Sequence, residues 1–383
     1  MPAFAGMTEE ERAPMLETIK DDAVTTLADF DNRARREAVL SERRSSQTIP
    51  IIDFGAYTKG EGLEARQRVA RELRKACVDT GFFYLANHGI GQAELDIAHD
   101  WGLVFFEQPR AEKMKLDKSH HPARQGWMPV GGMTPDANPD KDADQKETFV
   151  LPREFHPGET KGENPTVGNG QWPDPAKLPG FREFLTAHIA KRVTVAQRLC
   201  RALALSLDLP EDYFDESHRY PGISLTYNYY PPVDPETAGR TQWGISPHTD
   251  YGTFTLLSQD ALGGLEIRNQ ADEWIDVPPL PGTFVVNIAD LFARWTNGLY
   301  RSSLHRASNF SRSTRARISL PLFVIPYART RVECLPTCQG AGNPPKYEPV
   351  EAGPYVRALL EQSYRTGRPG VAQRTVEERM KTL

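Results

Sequence analysis

Only four cysteines occur in 383 residues, Cys77, Cys200, Cys334 and Cys338, and they are too few and too scattered to read as a disulfide framework. Cys334 and Cys338 have no second Cys or His pair nearby at zinc-ligand spacing, so free cytosolic thiols are expected. No run approaches the ~18 apolar residues of a membrane-spanning helix. The first residues, MPAFAGMTEEERAP, turn acidic before any apolar stretch forms, unlike a secretory signal, and a cytoplasmic protein is expected. Neither sign of charge dominates: Lys and Arg number 46 against 51 Asp and Glu, a net charge of −5 with no dense basic block. That balance argues against nucleic acid or a membrane surface as partner. What remains is an ordinary globular mixture, 39% hydrophobic and 25% charged, long enough to bury a large core. Nothing in it specifies an oligomeric state.

Four regions follow from the patterning. Residues 1–48 are charged, with scattered apolar positions at Leu16, Ile19, Val24, Leu27 and Phe30, a weakly amphipathic helical extension with little core of its own. Residues 49–175 form a mixed α/β region, opening on the short apolar strand IPIIDF. Val69, Leu73, Ala76 and Cys77 share one helical face over 64–80; Gly81 ends that helix, FFYLA is a buried strand, and a second helix covers 92–107. The stretch 119–175 is rich in Gly, Pro and Asp and predicts long loops crossed by one strand at ETFVL, forming part of a substrate entrance. The third region, 176–330, begins with a helix over 181–207, its apolar residues recurring near every 3.6 positions. Short runs such as ISLTYNYY, TFTLLS, TFVVNI and ARISLPLFVI then alternate with turn residues, without intervening helices. That spacing predicts a mainly β fold with flanking helices, a sandwich or jelly roll rather than a parallel sheet. Residues 331–383 are expected to be a loop and a helix, around 354–364, packing on this core.

Polar residues on those apolar strands carry the chemical signal. His248 and Asp250 form an H-x-D pair, and residues two apart on extended backbone point to one side. His305 follows 55 positions after Asp250, on a strand that an antiparallel fold can bring alongside. Two imidazoles and a carboxylate on one face of an octahedron suit non-haem Fe(II) oxygenases. Arg317 and Ser319 make a second i, i+2 pair: the planar guanidinium grips a carboxylate through two parallel bonds, and a hydroxyl adds a third. Asn228 and Tyr230 make another, with neutral donors.

The segments GISPHTDYGTFTLLSQD, GGLEI, WIDV, FVVNIADL, WTNGLYRSSLHR and ARISLPLF follow one another in an order that resembles the isopenicillin N synthase-like branch of the 2-oxoglutarate/Fe(II)-dependent dioxygenases. IPIIDF, GFFYLANHGI and KETF resemble that branch's upstream region, so the likeness covers about residues 49–328 and is that of a bacterial-type member. The resemblance implies a double-stranded β-helix core and iron held by His248, Asp250 and His305. It implies that Arg317 and Ser319 bind the distal carboxylate of 2-oxoglutarate and that Asn228 and Tyr230 contact this cosubstrate near the metal. It further implies O2-dependent oxidation of a small organic molecule, by hydroxylation or desaturation, coupled to conversion of 2-oxoglutarate to succinate and CO2. A related Fe(II) oxidase that uses no 2-oxoglutarate, or a non-catalytic jelly-roll binding protein, is the alternative. A zinc hydrolase would need a nearby carboxylate base, for which Asp260 and Glu266 are the candidates.

The other histidines, among them His88, His99, His120, His121, His156, His188 and His218, lack partners at ligand spacing and are expected to be structural or solvated. Asn287 and Asp290 are expected to terminate a strand and satisfy turn backbone. Phe149, Trp243, Phe292, Arg294 and Phe323 are candidates for lining a substrate pocket, with Arg294 also readable as a solvated turn residue.

Overall fold

The computed structural model describes residues 49–121, 124–131, 144–154, 156, 159, 170–232, 243–308 and 315–362; the extension 1–48 and the chain after 362 lie outside the described residues. The body starts with β1 (Ile51–Asp53), α1 (Gly55–Thr58), α2 (Leu63–Asp79), β2 (Phe82–Ala86), α3 (Gln92–Phe106) and α4 (Arg110–Met114). The two periodic helices thus end within one residue of their expected limits. Gly81 separates α2 from β2 in a left-handed conformation (φ 68°), and an added Cβ there would overlap the Arg301 carbonyl oxygen. Only glycine fits so tight a turn against another main chain.

The stretch expected to hold one strand holds two. β3 (Gly126–Met128) pairs antiparallel with β4 (Glu147–Pro152). Three residues, Gly-Trp-Met, are too short to show a period in the sequence. What fixes β3 is burial: Trp127 is 2% exposed and its Nε1 donates to Glu147 Oε2 at 2.7 Å.

After the long helix α5 (Phe181–Ser206) come β5 (Gly222–Tyr230), β6 (Trp243–His248), β7 (Phe254–Gln259), β8 (Leu265–Arg268), β9 (Trp274–Asp276) and β10 (Thr283–Ile288). A short helix, α6 (Asp290–Trp295), precedes β11 (His305–Ser308) and β12 (Arg317–Ile325). An eight-stranded sheet runs β1-β2-β10-β7-β12-β5-β4-β3, and a four-stranded sheet runs β6-β11-β8-β9. Pairing is antiparallel throughout both sheets except for β1 with β2. The connections match a jelly roll, in which strands adjacent in space are distant in sequence. β13 (Arg331–Val332) and β14 (Val350–Glu351) form a small ribbon, and α7 (Ala352–Gln362) follows it directly.

Strand β12 shows how the two faces of the large sheet divide. Ile318, Leu320, Leu322 and Val324 point into the main core, where each is 1% exposed or less. Arg317, Ser319, Pro321, Phe323 and Ile325 face a cavity on the other side. The core face packs against α3 and α5: Tyr227 Oη donates to the Ala98 carbonyl at 2.6 Å. Arg192 of α5, fully buried, donates to the Leu320 carbonyl at 3.1 Å and to that of Leu256. A buried guanidinium needs such partners to offset its desolvation. One cluster of buried residues extends from Ile52 to Val356, so helices and sheet share a core. No described helix is long and apolar enough to cross a membrane.

Candidate metal centre and cosubstrate anchor

His248 closes β6 and His305 opens β11, and the two are direct cross-strand partners. Such pairs bring Cβ atoms within about 5.5 Å, and here the ring centroids lie 4.3 Å apart. Asp250 follows two residues after His248, on a segment pinned from several sides. Asp290 N donates to the Asp250 carbonyl (2.8 Å), Ala289 N to that of Thr253 (3.1 Å), and Thr253 N to that of Val324 (2.8 Å). Gly252 makes this seating possible, because a Cβ there would overlap the Val324 carbonyl oxygen.

One ligand atom from each of His248, Asp250 and His305 falls within 4.8 Å of the others. The Asp250 carboxylate lies 3.9 Å from His248 Nε2 through Oδ1 and 3.8 Å from His305 Nε2 through Oδ2. The Nδ1 atoms meet main-chain carbonyls, His248 with Ser246 at 2.8 Å and His305 with Ser303 at 3.1 Å. Those bonds place the Nδ1 protons there and leave each Nε2 lone pair facing the common point.

Asp250 Oδ2 accepts from Thr255 Oγ1 at 2.5 Å and Asn287 Nδ2 at 2.8 Å. Burial opposes ionisation of this carboxyl, but the two imidazoles and these hydrogen bonds hold its pKa below the usual range. Burial, and then repulsion from His305, pushes the His248 imidazole well down. A carboxylate beside neutral imidazole is the donor state a divalent metal requires. The donor set therefore fits a ferrous ion.

Arg317 and Ser319 on β12 stand opposite Tyr230 and Asn228 on β5. The guanidinium lies 4.5 Å from the centroid of the Tyr230 ring and donates through Nε to the Gly263 carbonyl. Its Nη1 is buried without a hydrogen-bond partner. Ser319 Oγ meets Asn228 Nδ2 at 3.4 Å and Tyr230 Oη at 3.5 Å, both at the long limit of hydrogen bonding. An unsatisfied guanidinium nitrogen beside loosely paired hydroxyls fits an anion with several acceptor oxygens. The three candidate metal donors and the four candidate cosubstrate contacts all line one cavity of about 210 Å³.

Two family profiles cover much of the chain: the 2OG-Fe(II) oxygenase superfamily matches residues 223–326, and the "non-haem dioxygenase in morphine synthesis N-terminal" family matches residues 49–175. The 2-oxoglutarate-Fe(II) type oxidoreductase ppzC of Metarhizium rileyi is 34% identical over 341 residues, covering 85% of this chain and 88% of that protein. The chain belongs to the 2OG-Fe(II) oxygenase superfamily. A full-length Neurospora crassa protein, solved in complex with alpha-KG, superposes with a TM-score of 0.73 at 27% identity, covering 83% of this chain and 97% of that one. JOX2 in complex with 2OG, Fe and JA gives 0.65 at 28% identity, covering 89% and 96%. The protein is a 2-oxoglutarate-dependent Fe(II) oxygenase, with O2 as the other cosubstrate.

Several expectations about this oxygenase need correction. Asn287 and Asp290 do more than finish a strand: Asn287 holds the Asp250 carboxylate, and Asp290 accepts from Thr249 Oγ1 (3.1 Å) and Ser302 Oγ (2.6 Å) on the segments that carry the candidate ligands. Among the described side chains of the five pocket candidates, only Phe323 lines the cavity. Phe149 stacks on Phe105 within the core, and Phe292 packs there against Phe214 and Trp295. Arg294 donates to the Glu348 carbonyl and lies over Tyr347 and Tyr355. The Trp243 side chain and much of the loop expected at the substrate entrance, including 132–143 and 160–169, lie outside the described residues.

Neither carboxylate considered as a hydrolytic base is available to the metal site. Asp260 accepts from the main-chain N–H of Ile318 and Leu262, and Glu266 pairs with Arg306 at 2.8 Å. The remaining buried histidines have structural partners, such as Phe284 for His88, Ser258 for His99 and Thr253 for His218. Sequence reading missed Thr255, Lys146 and Thr148 among the lining residues. The alternation in K-E-T was the available signal for the last two.

Proposed function

We propose that His248, Asp250 and His305 bind the ferrous ion, and that Arg317, Ser319, Asn228 and Tyr230 bind 2-oxoglutarate. The oxidised substrate in this reading is a small organic molecule, hydroxylated or desaturated as 2-oxoglutarate is converted to succinate and CO2. The observation that carries the reading is the shared cavity: three metal-donor side chains and a buried guanidinium with an unsatisfied nitrogen open into the same space.

Iron held there supplies a redox-active centre with coordination positions for the 2-oxo acid and O2. The protein residues supply position. Ser246 and Ser303 fix the tautomers of the two histidines through their carbonyls, while Thr255 and Asn287 hold Asp250 Oδ2. Arg317, steadied by the Gly263 carbonyl and the Tyr230 ring, receives the far carboxylate. Beyond Ser319 the cavity face of β12 is apolar, with Pro321, Phe323 and Ile325, which suits the apolar part of a bound organic molecule.

Small-molecule recognition accords with the partners of two structural neighbours, the Neurospora crassa protein crystallised with alpha-KG and thymine and JOX2 crystallised with JA. A screen of small metabolites scored by succinate release tests the reading. Stimulated release that requires Fe(II), O2 and 2-oxoglutarate together is expected; succinate formation indifferent to added Fe(II) would contradict it.

A further inference from the structure

The three candidate metal donors come from two stretches of chain, and the strand ladder between those stretches does not by itself fix how far apart they stand. β6 and β11 pair at His248 and His305, but the register shifts between His305 and Ala307 and again between Ala307 and Ser308. Asp250 lies beyond the last residue of β6. An irregular ladder leaves backbone groups unpaired and bends the strand, so the separation at its end has to be set by other contacts.

Asp290, the first residue of α6, supplies them. Its Oδ2 accepts from Thr249 Oγ1 at 3.1 Å, and Thr249 stands between His248 and Asp250 in the chain. Its Oδ1 accepts from Ser302 Oγ at 2.6 Å. Ser302 directly precedes Ser303, whose carbonyl takes the Nδ1 proton of His305. The main-chain N–H of Asp290 donates to the Asp250 carbonyl at 2.8 Å. One residue thus grips both donor-bearing stretches. Asp290 and Thr249 are each 1% exposed, so water competes little for their bond, and hydrogen bonds to a carboxylate are stronger than those between neutral groups.

The His305 stretch has other moorings. Ser303 Oγ donates to the Thr80 carbonyl at 2.6 Å, and Arg268 N to that of Leu304 at 2.8 Å. These hold that stretch to the turn after α2 and to β8, and neither bond reaches the His248–Asp250 stretch. Asn287 reaches Asp250, at its carboxylate, from β10. The Asp290 carboxylate is bonded to both stretches, and Asp290 does not line the cavity.

We propose that Asp290 is a positioning residue of the metal centre: its carboxylate bridges the two donor-bearing stretches and sets the separation of His305 from His248 and Asp250. It acts through Thr249 and Ser302 rather than on the ion. The proposal rests on the reading that His248, Asp250 and His305 bind Fe(II).

The test is metal binding by the apoprotein, without turnover. Fe(II) is titrated anaerobically into wild type, Asp290→Ala, Asp290→Asn, Thr249→Val, Ser302→Ala and the Thr249→Val, Ser302→Ala double variant, with free iron read by a chromogenic chelator. Co(II) is added in parallel, and its d–d absorption reports the donor geometry. Asp290→Ala is expected to weaken Fe(II) binding about tenfold or more and to alter the Co(II) bands. Asp290→Asn should restore most of the affinity, since its carboxamide accepts from one hydroxyl and donates to the other. A bridge cut at either end no longer bridges, so each single hydroxyl variant should weaken binding, and the double variant should be no weaker than the poorer single. Wild-type affinity in either single variant, or single effects that multiply in the double, would overturn the proposal; these variants decide the matter if Asp290→Ala does not fold. A lower Tm of the apoprotein with metal affinity and Co(II) spectrum unchanged would show a purely structural role and overturn it equally. Failure of the underlying ligand reading looks different, because wild type would then bind Fe(II) no better than His248→Ala.

Discussion

His248 and His305 face each other across one rung of an antiparallel pair, with ring centroids 4.3 Å apart, and each hands its Nδ1 proton to the carbonyl two residues earlier in its own chain. This repeated local arrangement orients both imidazoles without help from a distant residue. Asp250 completes the group from the segment that leaves β6, so the proposed metal site depends on one strand pair and one pinned turn.

Replacing a ligand should therefore remove metal without removing the fold. His248→Ala and Asp250→Ala are each expected to lose bound Fe(II) and all iron-dependent succinate formation. Their far-UV circular dichroism should match wild type, because neither side chain belongs to the apolar core. Iron content after anaerobic loading checks this, and a variant that retains stoichiometric iron at wild-type affinity would contradict the ligand assignment.

The hydrogen bonds behind Asp250 should matter almost as much. Asn287→Ala leaves Oδ2 with Thr255 alone and frees the carboxylate to turn. Loss of such an outer partner typically weakens metal affinity by roughly 10- to 100-fold. An Fe(II) titration followed by activity should show that weakening, with the rate at saturating iron falling less.

A pH effect on stability is expected away from the site. Glu94 is hydrogen-bonded by buried His188 at 2.9 Å and by Lys191 at 2.6 Å, and chiefly the His188 bond holds its carboxyl down to about 2. The group's ordinary pKa is 4.5, so the unfolded chain binds its proton first as the solution is acidified. The stabilisation is thus fully present above about 4.5 and is lost as pH falls toward 2. Tm measured across that window should fall less steeply in Glu94→Gln than in wild type; parallel curves would contradict the assignment.

The proposed metal donors lie together in the structure as extended backbone suggests, because residues two apart point to one side, so His248 and Asp250 share a direction. The same rule exposed Arg317 with Ser319 and Asn228 with Tyr230. It could not show what crosses between strands. Asn287 resembles a turn former until β10 is placed beside β7, which opposes it to Thr255 next to the Asp250 carboxylate. Lys146 and Gln125 were hidden for another reason. Their segment is rich in Gly, Pro and Asp and predicts long loops at a substrate entrance without showing which side chains line it; the pairing of β3 and β4 onto the edge of the sheet buries these two. Phe149 and Phe292 misled in the opposite direction, since both pack against core aromatics rather than lining the cavity.

The most direct measurement is anaerobic titration of the Fe(II)-loaded protein with 2-oxoglutarate, followed by the charge-transfer absorption of the iron–oxo-acid complex. Wild type should develop the band and saturate. Arg317→Ala should need far more cosubstrate, a loss of about 2–5 kcal/mol for a buried charged contact, with Arg317→Lys in between because it lacks the planar fork. An unchanged spectrum in wild type, or equal affinity in Arg317→Ala, would contradict the account.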